Sequence, residues 1–391
     1  MAKNFYFDTT KVILVVTIFS LVFGFMSCGD KKRDNSNLVN PWEIRTDTIS
    51  NNPLKPEPEP ATDPVPEPKH EASINEDFLS GVVLIRTRYY YKMSFGDVLD
   101  VYFSEVDEKG TPVNPTPNLN SVIPNVAFGT GFLVNGEGLI ATNSHVANPS
   151  VDAKKARSSF LTSLSSYSSN IQGDVNDLNT LIGYMMYQVS DTNVSETGEN
   201  YIKNLIDVRD QKQNVVNAIN LLQGQDCSVT CEARVGIAFN NTYVTEHSDF
   251  LPCVLKKEDK DNDLALIQLK HKRTDVPSGS YIFEVPAADA YSDESSTMNV
   301  GTELTMLAFN RGLSLATVED GIMAQITSGK VTQAQNKIIM YDISSLPGSS
   351  GAPVVDKWGN LVAVNFAGIS TTQGFNYGIK VYLLRRLLDK D

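Results

Sequence analysis

One block of this chain, residues 150–226, repeats its apolar residues at helical spacing, whereas the sequence on either side reads as short β-strands closed by glycine turns. That interruption limits the fold more than any other feature. Phe160, Leu164, Tyr167, Ile171, Leu178, Ile182, Met185 and Val189 step mostly by threes and fours, as do Tyr201, Leu205, Val208, Val215, Ile219 and Leu222. Such spacing puts one apolar stripe on each of two helices. Polar residues 190–200, which include Gly198, separate the stripes. The block therefore predicts a long antiparallel helical hairpin, each arm roughly 40 Å long at 1.5 Å rise per residue. Its Met and aromatic residues are read as seam packing.

Outside the block the period falls towards two. Residues 81–91 and 98–106 are rich in Val, Ile and Tyr, and 128–142 form a hairpin pattern around Asn135-Gly136-Glu137-Gly138. Further short runs follow at 233–239, 251–256, 264–269, 303–309, 321–328, 338–343, 361–365 and 378–381, before a closing helix at 382–390. Many short strands with glycine turns predict an all-β sandwich or barrel architecture.

The first 75 residues differ. Residues 12–26 are apolar but too short for a comfortable membrane span, and they end at Phe25-Met26-Ser27-Cys28. From 29 to about 74 the chain alternates Pro and Glu with other polar residues, which predicts an extended, solvated spacer. The formal charge is −13 and no Lys/Arg cluster builds a basic face, so nucleic acid is not the expected partner. The four His and four Cys show no zinc-ligand spacing, and no phosphate or calcium loop is present; neither metal nor cofactor is expected.

Three segments carry the chemistry: Thr142-Asn143-Ser144-His145-Val146, Asn262-Asp263-Leu264-Ala265-Leu266 and Gly348-Ser349-Ser350-Gly351-Ala352-Pro353. A Ser between glycines is, alone, any strand-to-strand turn. Amide hydrolysis needs a nucleophile, a base to take its proton, and an anion to hold that base in the right tautomer. It also needs donors for the developing oxyanion. A His after one strand, an Asp opening an apolar strand and a Ser in a glycine turn supply this set in order.

In these residues the chain resembles the trypsin-like serine peptidases of chymotrypsin fold, most of all the bacterial HtrA/Deg type. The likeness extends through Gly129-Thr130-Gly131-Phe132, Val300-Gly301-Thr302, Ile326-Thr327-Ser328-Gly329 and Gly359-Asn360-Leu361-Val362-Ala363-Val364-Asn365. It implies two six-stranded antiparallel β-barrels with the helical hairpin inserted in the first. The peptidase domain would span 76–391, with one barrel at about 78–272 and the other at about 280–391. It also implies an endopeptidase acting on polypeptides. His145 is then the general base, Asp263 its orienting carboxylate and Ser350 the nucleophile, with the N–H groups of Gly348 and Ser350 as the oxyanion hole. Ser344 takes the pocket-floor position, where an uncharged residue argues against Arg/Lys specificity and favours small or medium apolar side chains. Asn365, Phe366 and Ala367 take the place of the strand that pairs with substrate. Ser349 stands where chymotrypsin-like zymogens carry an Asp, so activation by a freed N-terminus is not expected. No PDZ segment is expected after the closing helix.

The N-terminal segment resembles a bacterial lipoprotein signal, which implies removal of residues 1–27, lipidation of Cys28, a tether over 28–75 and a place in the cell envelope. Export permits a disulfide among the remaining cysteines. Cys231 and Cys253 flank a hairpin through Asn240-Asn241-Thr242 and are the first choice; Cys227–Cys253 stays open. Because the hairpin at 150–226 follows His145, it could gate the cleft or dock a protein partner. The competing reading is a non-catalytic or partner-activated scaffold of the same fold, acting through that hairpin.

Overall fold

Strand β1 (Val82–Phe95) is long because it serves two cores, and the computed structural model, which describes residues 77–190, 196–287, 298–368 and 376–390, shows how. The signal segment, Cys28 and the Pro-rich tether lie outside those residues. Following β1 come β2 (Leu99–Phe103), the short ribbon of β3 (Glu105–Val106) and β4 (Pro112–Val113), then β5 (Asn125–Leu133) and β6 (Leu139–Thr142). A single-turn helix α1 (Ser144–Ala147) leads to α2 (Ala153–Ser190) and α3 (Glu196–Gln223). β7 (Cys227–Phe239), β8 (Leu251–Asp259) and β9 (Leu264–Leu269) complete the first half.

The first half of β1 pairs with β5 from Val82 to Tyr89, and β7 pairs along its other edge. The order β1-β5-β6-β9-β8-β7 thus closes into a six-stranded antiparallel barrel. Beyond Tyr91, β1 leaves the barrel wall and runs between β2 and the start of β7. This outer platform carries the hairpin. Met93, Phe95, Leu99, Val101 and Phe103 pack against Phe160, Leu164, Val215, Ile219 and Leu222, and the Phe95 and Phe160 rings lie 5.8 Å apart.

The two helices match the expected block, but their arms are unequal. α2 has 38 residues, about 57 Å at 1.5 Å per residue, and α3 has 28, about 42 Å. Val175 and Val216 join the buried face although the spacing did not single them out, and the expected seam residues Tyr201 and Val208 are exposed. The stripe drifts because its lower part must meet the β platform as well as the partner helix.

In the second half, β10 (Glu303–Ala308) is followed by α4 (Leu313–Ala316) and a ribbon of β11 (Thr317–Val318) and β12 (Gly321–Ile322). Then come β13 (Gln325–Ala334), β14 (Ile338–Tyr341), β15 (Pro353–Asp356), β16 (Leu361–Gly368), β17 (Asn376–Lys380) and α5 (Val381–Asp389). The order β10-β13-β14-β17-β16-β15 is a second closed barrel. Leu383, Leu384 and Leu387 of α5 enter a core shared by both barrels, with Leu264 and Leu266 from one and Val364 and Ile379 from the other.

The disulfide expectation is corrected. Cys227, Cys231 and Cys253 are all free thiols. The β7–β8 hairpin does form, but its register pairs Cys253 with Val235. Cys231 is four residues further along β7, about 13 Å at strand rise, and a disulfide spans at most about 7 Å between Cα atoms. Cys227 is farther still.

Candidate active site

Strand β6 ends at Thr142, and the chain turns at once into α1, whose first residues are Ser144 and His145. Three contacts pin this turn of helix. The Thr87 hydroxyl donates to Val146 O at 2.6 Å, Ser144 Oγ donates to Glu258 at 2.6 Å, and Asn148 Nδ2 reaches both Glu258 oxygens at 3.1 and 3.2 Å. His145 therefore projects from a fixed base, with its side chain 48% exposed at the surface.

Asp263 comes from the tight turn between β8 and β9. Its φ of 49° is in the left-handed region, which Asp tolerates better than most side chains. Asn143 Nδ2 donates to the Asp263 carbonyl at 3.0 Å, and the carboxylate takes two bonds from His145: the backbone N–H at 2.9 Å and Nδ1 at 2.7 Å. A carboxylate only accepts, so Nδ1 carries the proton and Nε2 is left as the basic nitrogen. The sequence predicts this pairing, and the geometry brings both residues together across 118 positions.

The Ser350 turn nests on the same segment. Thr130 N donates to Ser350 O at 2.8 Å. Gly129 is packed so tightly that a Cβ there would run into the Val146 methyls and sit 3.2 Å from Ser350 O. A Cβ on Gly351, at φ +88°, would lie 3.2 Å from Asn143 N after colliding with Thr130 and Thr142. Only glycine allows this approach of backbone to backbone. Ser350 Oγ donates to Phe366 O at 3.4 Å, and among the described residues no hydrogen bond joins it to His145. Bonds of that kind tighten when a substrate closes the site. Among the described residues the N–H groups of Gly348 and Ser350 donate to no protein acceptor, whereas those of Ser349 and Gly351 bond to Leu346 O and Asn365 O.

The expected substrate-binding residues divide. Ser344 is exposed. Phe366 is half-buried against Tyr377 and sits at a bulge of β16, and Ala367 continues the strand opposite Tyr377. Asn365 is a correction. It is 1% exposed, and both its main-chain groups are used within the fold: N–H to Ala352 O at 2.9 Å and C=O from Gly351 N at 2.7 Å. It lies behind the Ser350 turn and does not line a cleft. Two supports escaped the sequence reading. Glu258 gives no motif, and Thr130 stood only inside Gly129-Thr130-Gly131, where the flanking glycines were its one signal.

A family described as the trypsin-like peptidase domain matches residues 210–364. That segment runs from the later part of α3 into β16. It contains Asp263 and Ser350 and begins after His145, which the inserted hairpin separates from the other two. The match makes residues 210–364 similar to a trypsin-like peptidase domain, and the chain around them forms two closed six-stranded barrels. No curated protein matches the chain. A solved serine endoprotease from Yersinia pestis is similar at 13% identity with a TM-score of 0.39, over 82% of this chain and 66% of that one.

Proposed function

We propose that the chain is a lipid-anchored serine endopeptidase working through His145, Asp263 and Ser350. The observation that carries this is the doubly bonded pair of Asp263, on the β8–β9 turn, and His145, on a helix whose Val146 lies across Gly129 from Ser350 O. In the proposed cycle His145 Nε2 takes the Ser350 hydroxyl proton as Oγ attacks the scissile carbonyl. The oxyanion that forms is met by the N–H groups of Gly348 and Ser350. The imidazolium, held by Asp263, then gives its proton to the departing amine, and water hydrolyses the acyl-enzyme by the same route reversed. An uncharged Ser344 suits small or medium apolar side chains before the cleaved bond. Labelling with a fluorophosphonate and turnover of unfolded casein test the reading. Both should fall by at least about 10⁴-fold in Ser350→Ala.

The anchor rests on sequence: the apolar run ending at Cys28 and the Pro-rich spacer suit a body held off a bacterial envelope membrane. Palmitate incorporation into the whole chain should disappear in Cys28→Ala, and incorporation that persists rules the anchor out. The scaffold reading keeps one supporting observation. The distal hairpin exposes Tyr184 and Met186, which suit contact with a protein partner. A folded chain that takes no Ser350-dependent label would favour that reading over the peptidase.

A further inference from the structure

Each carbonyl of the nucleophile turn from Pro347 to Ser350 is held by a donor. Pro347 O accepts from Arg311 N at 2.6 Å and Ser350 O from Thr130 N at 2.8 Å. Gly348 O accepts from Thr130 Oγ1 at 2.7 Å, and Ser349 O from both Asn365 Nδ2 and Ala352 N at 3.0 Å. All described peptides are trans. In a trans peptide plane the C=O and the next N–H point in opposite directions, so a held carbonyl aims the donor that follows it. Pro347 O thereby aims the Gly348 N–H, and Ser349 O aims the Ser350 N–H. These are the two donors left without acceptors. The first is aimed by one main-chain group, the second by the Ala352 N–H together with one side chain, Asn365.

That side chain is itself held. The Asn365 amide nitrogen also lies 3.2 Å from Ser349 Oγ and 3.5 Å from Ser345 Oγ, and its Oδ1 accepts from the Tyr341 hydroxyl at 2.7 Å. The Tyr341 hydroxyl is also 3.0 Å from Tyr377 O, and the ring is fully buried. Burial pushes its phenol well above the ordinary range, so it stays a donor. A donor on Oδ1 fixes which end of the Asn365 amide faces Ser349.

We infer that Asn365, oriented by Tyr341, is a positioning residue that, with the Ala352 N–H, sets the Ser350 N–H of the oxyanion hole. The inference rests on the peptidase reading above and adds what builds that hole. With Asn365 in place, the donor is aimed in the folded chain before substrate arrives. No ion pair at the turn is needed.

The test compares Asn365→Asp, Asn365→Ala and Tyr341→Phe with the native chain. It uses casein turnover, the rate of fluorophosphonate labelling and thermal melting. Asn365→Asp keeps the volume and loses the donor. It should lower kcat and the labelling rate by about 10²- to 10³-fold, the usual cost of one oxyanion donor, with KM within about two-fold. Tyr341→Phe removes one hydroxyl from a packed ring and should lower kcat by about ten-fold, which keeps the test open if both Asn365 variants fail to fold. A folded Asn365→Asp that labels at the native rate overturns the inference while leaving the peptidase standing. So does a loss confined to KM. A native chain that takes no Ser350-dependent label overturns both.

Discussion

The first barrel and the hairpin platform are built on the same two strands, β1 and β7, yet answer to different physics. The inner halves of β1 and β7 are closed on both sides by other strands, and Val82 to Ile85 are fully buried there. Their outer halves rest on two helices whose seam stays buried along the hairpin, with Phe160 1% exposed, Ile182 5% and Ile202 7%, while Tyr184 on the outer face is 63% exposed. The barrel cores meet across the shared layer that holds α5, whereas the platform forms a separate cluster. Every residue of the proposed reaction lies on the turns between barrel strands or on the short helix α1. The insert starts only a few residues after His145, but Thr87 and Glu258 hold α1 to the barrel independently of it.

This contrast predicts that damage to the body stops chemistry and damage to the platform does not. Asp263→Asn has the largest expected effect. The change keeps the shape but cannot accept from both His145 donors, so casein turnover should fall about 10⁴-fold with the melting temperature little altered. Retained turnover would break the assignment of the site to the body. Phe160→Ala comes next. Loss of a buried aromatic costs about 3–5 kcal/mol, which should appear as faster amide exchange in α2 and α3 while β10 and β13–β17 keep their protection. Equal loss in both regions would merge them into one cooperative unit.

The smallest effect is on the thiols. Burial pushes Cys253 up to about 12 and Cys231 up to about 11, from an ordinary 9.0. At pH 8 alkylation should be slower than for a free thiol by about 10³-fold at Cys253 and 10²-fold at Cys231. The sign for stability follows. Below pH 9 both states keep the proton; between 9 and about 12 the unfolded chain binds fewer protons, so Cys253 lowers stability as pH rises. Phe160→Ala should speed alkylation of Cys227 and Cys231, which pack on the platform, and leave Cys253 unchanged. Mass mapping of labelled peptides reads this directly.

The sequence by itself determined the features that depend on local period and on single turns. Helical spacing marked the hairpin, glycine-punctuated strands marked the barrels, and three short motifs named His145, Asp263 and Ser350. Those motifs were legible because a catalytic group and the turn presenting it sit within a few residues of each other. Only the tertiary structure decided what depends on register and packing. It separated Cys231 from Cys253 by four positions along β7 and made the first arm longer than the second. It also turned Asn365 from the cleft to the back of the nucleophile loop. A one-residue change of side exchanges buried for exposed along a strand. A buried amide shows its role only when the carbonyl it holds is known. Asn365 reads as a substrate contact in sequence because the resemblance puts the substrate-pairing strand at Asn365, Phe366 and Ala367; the bulge between Asn365 and Ala367 is a property of the closed barrel.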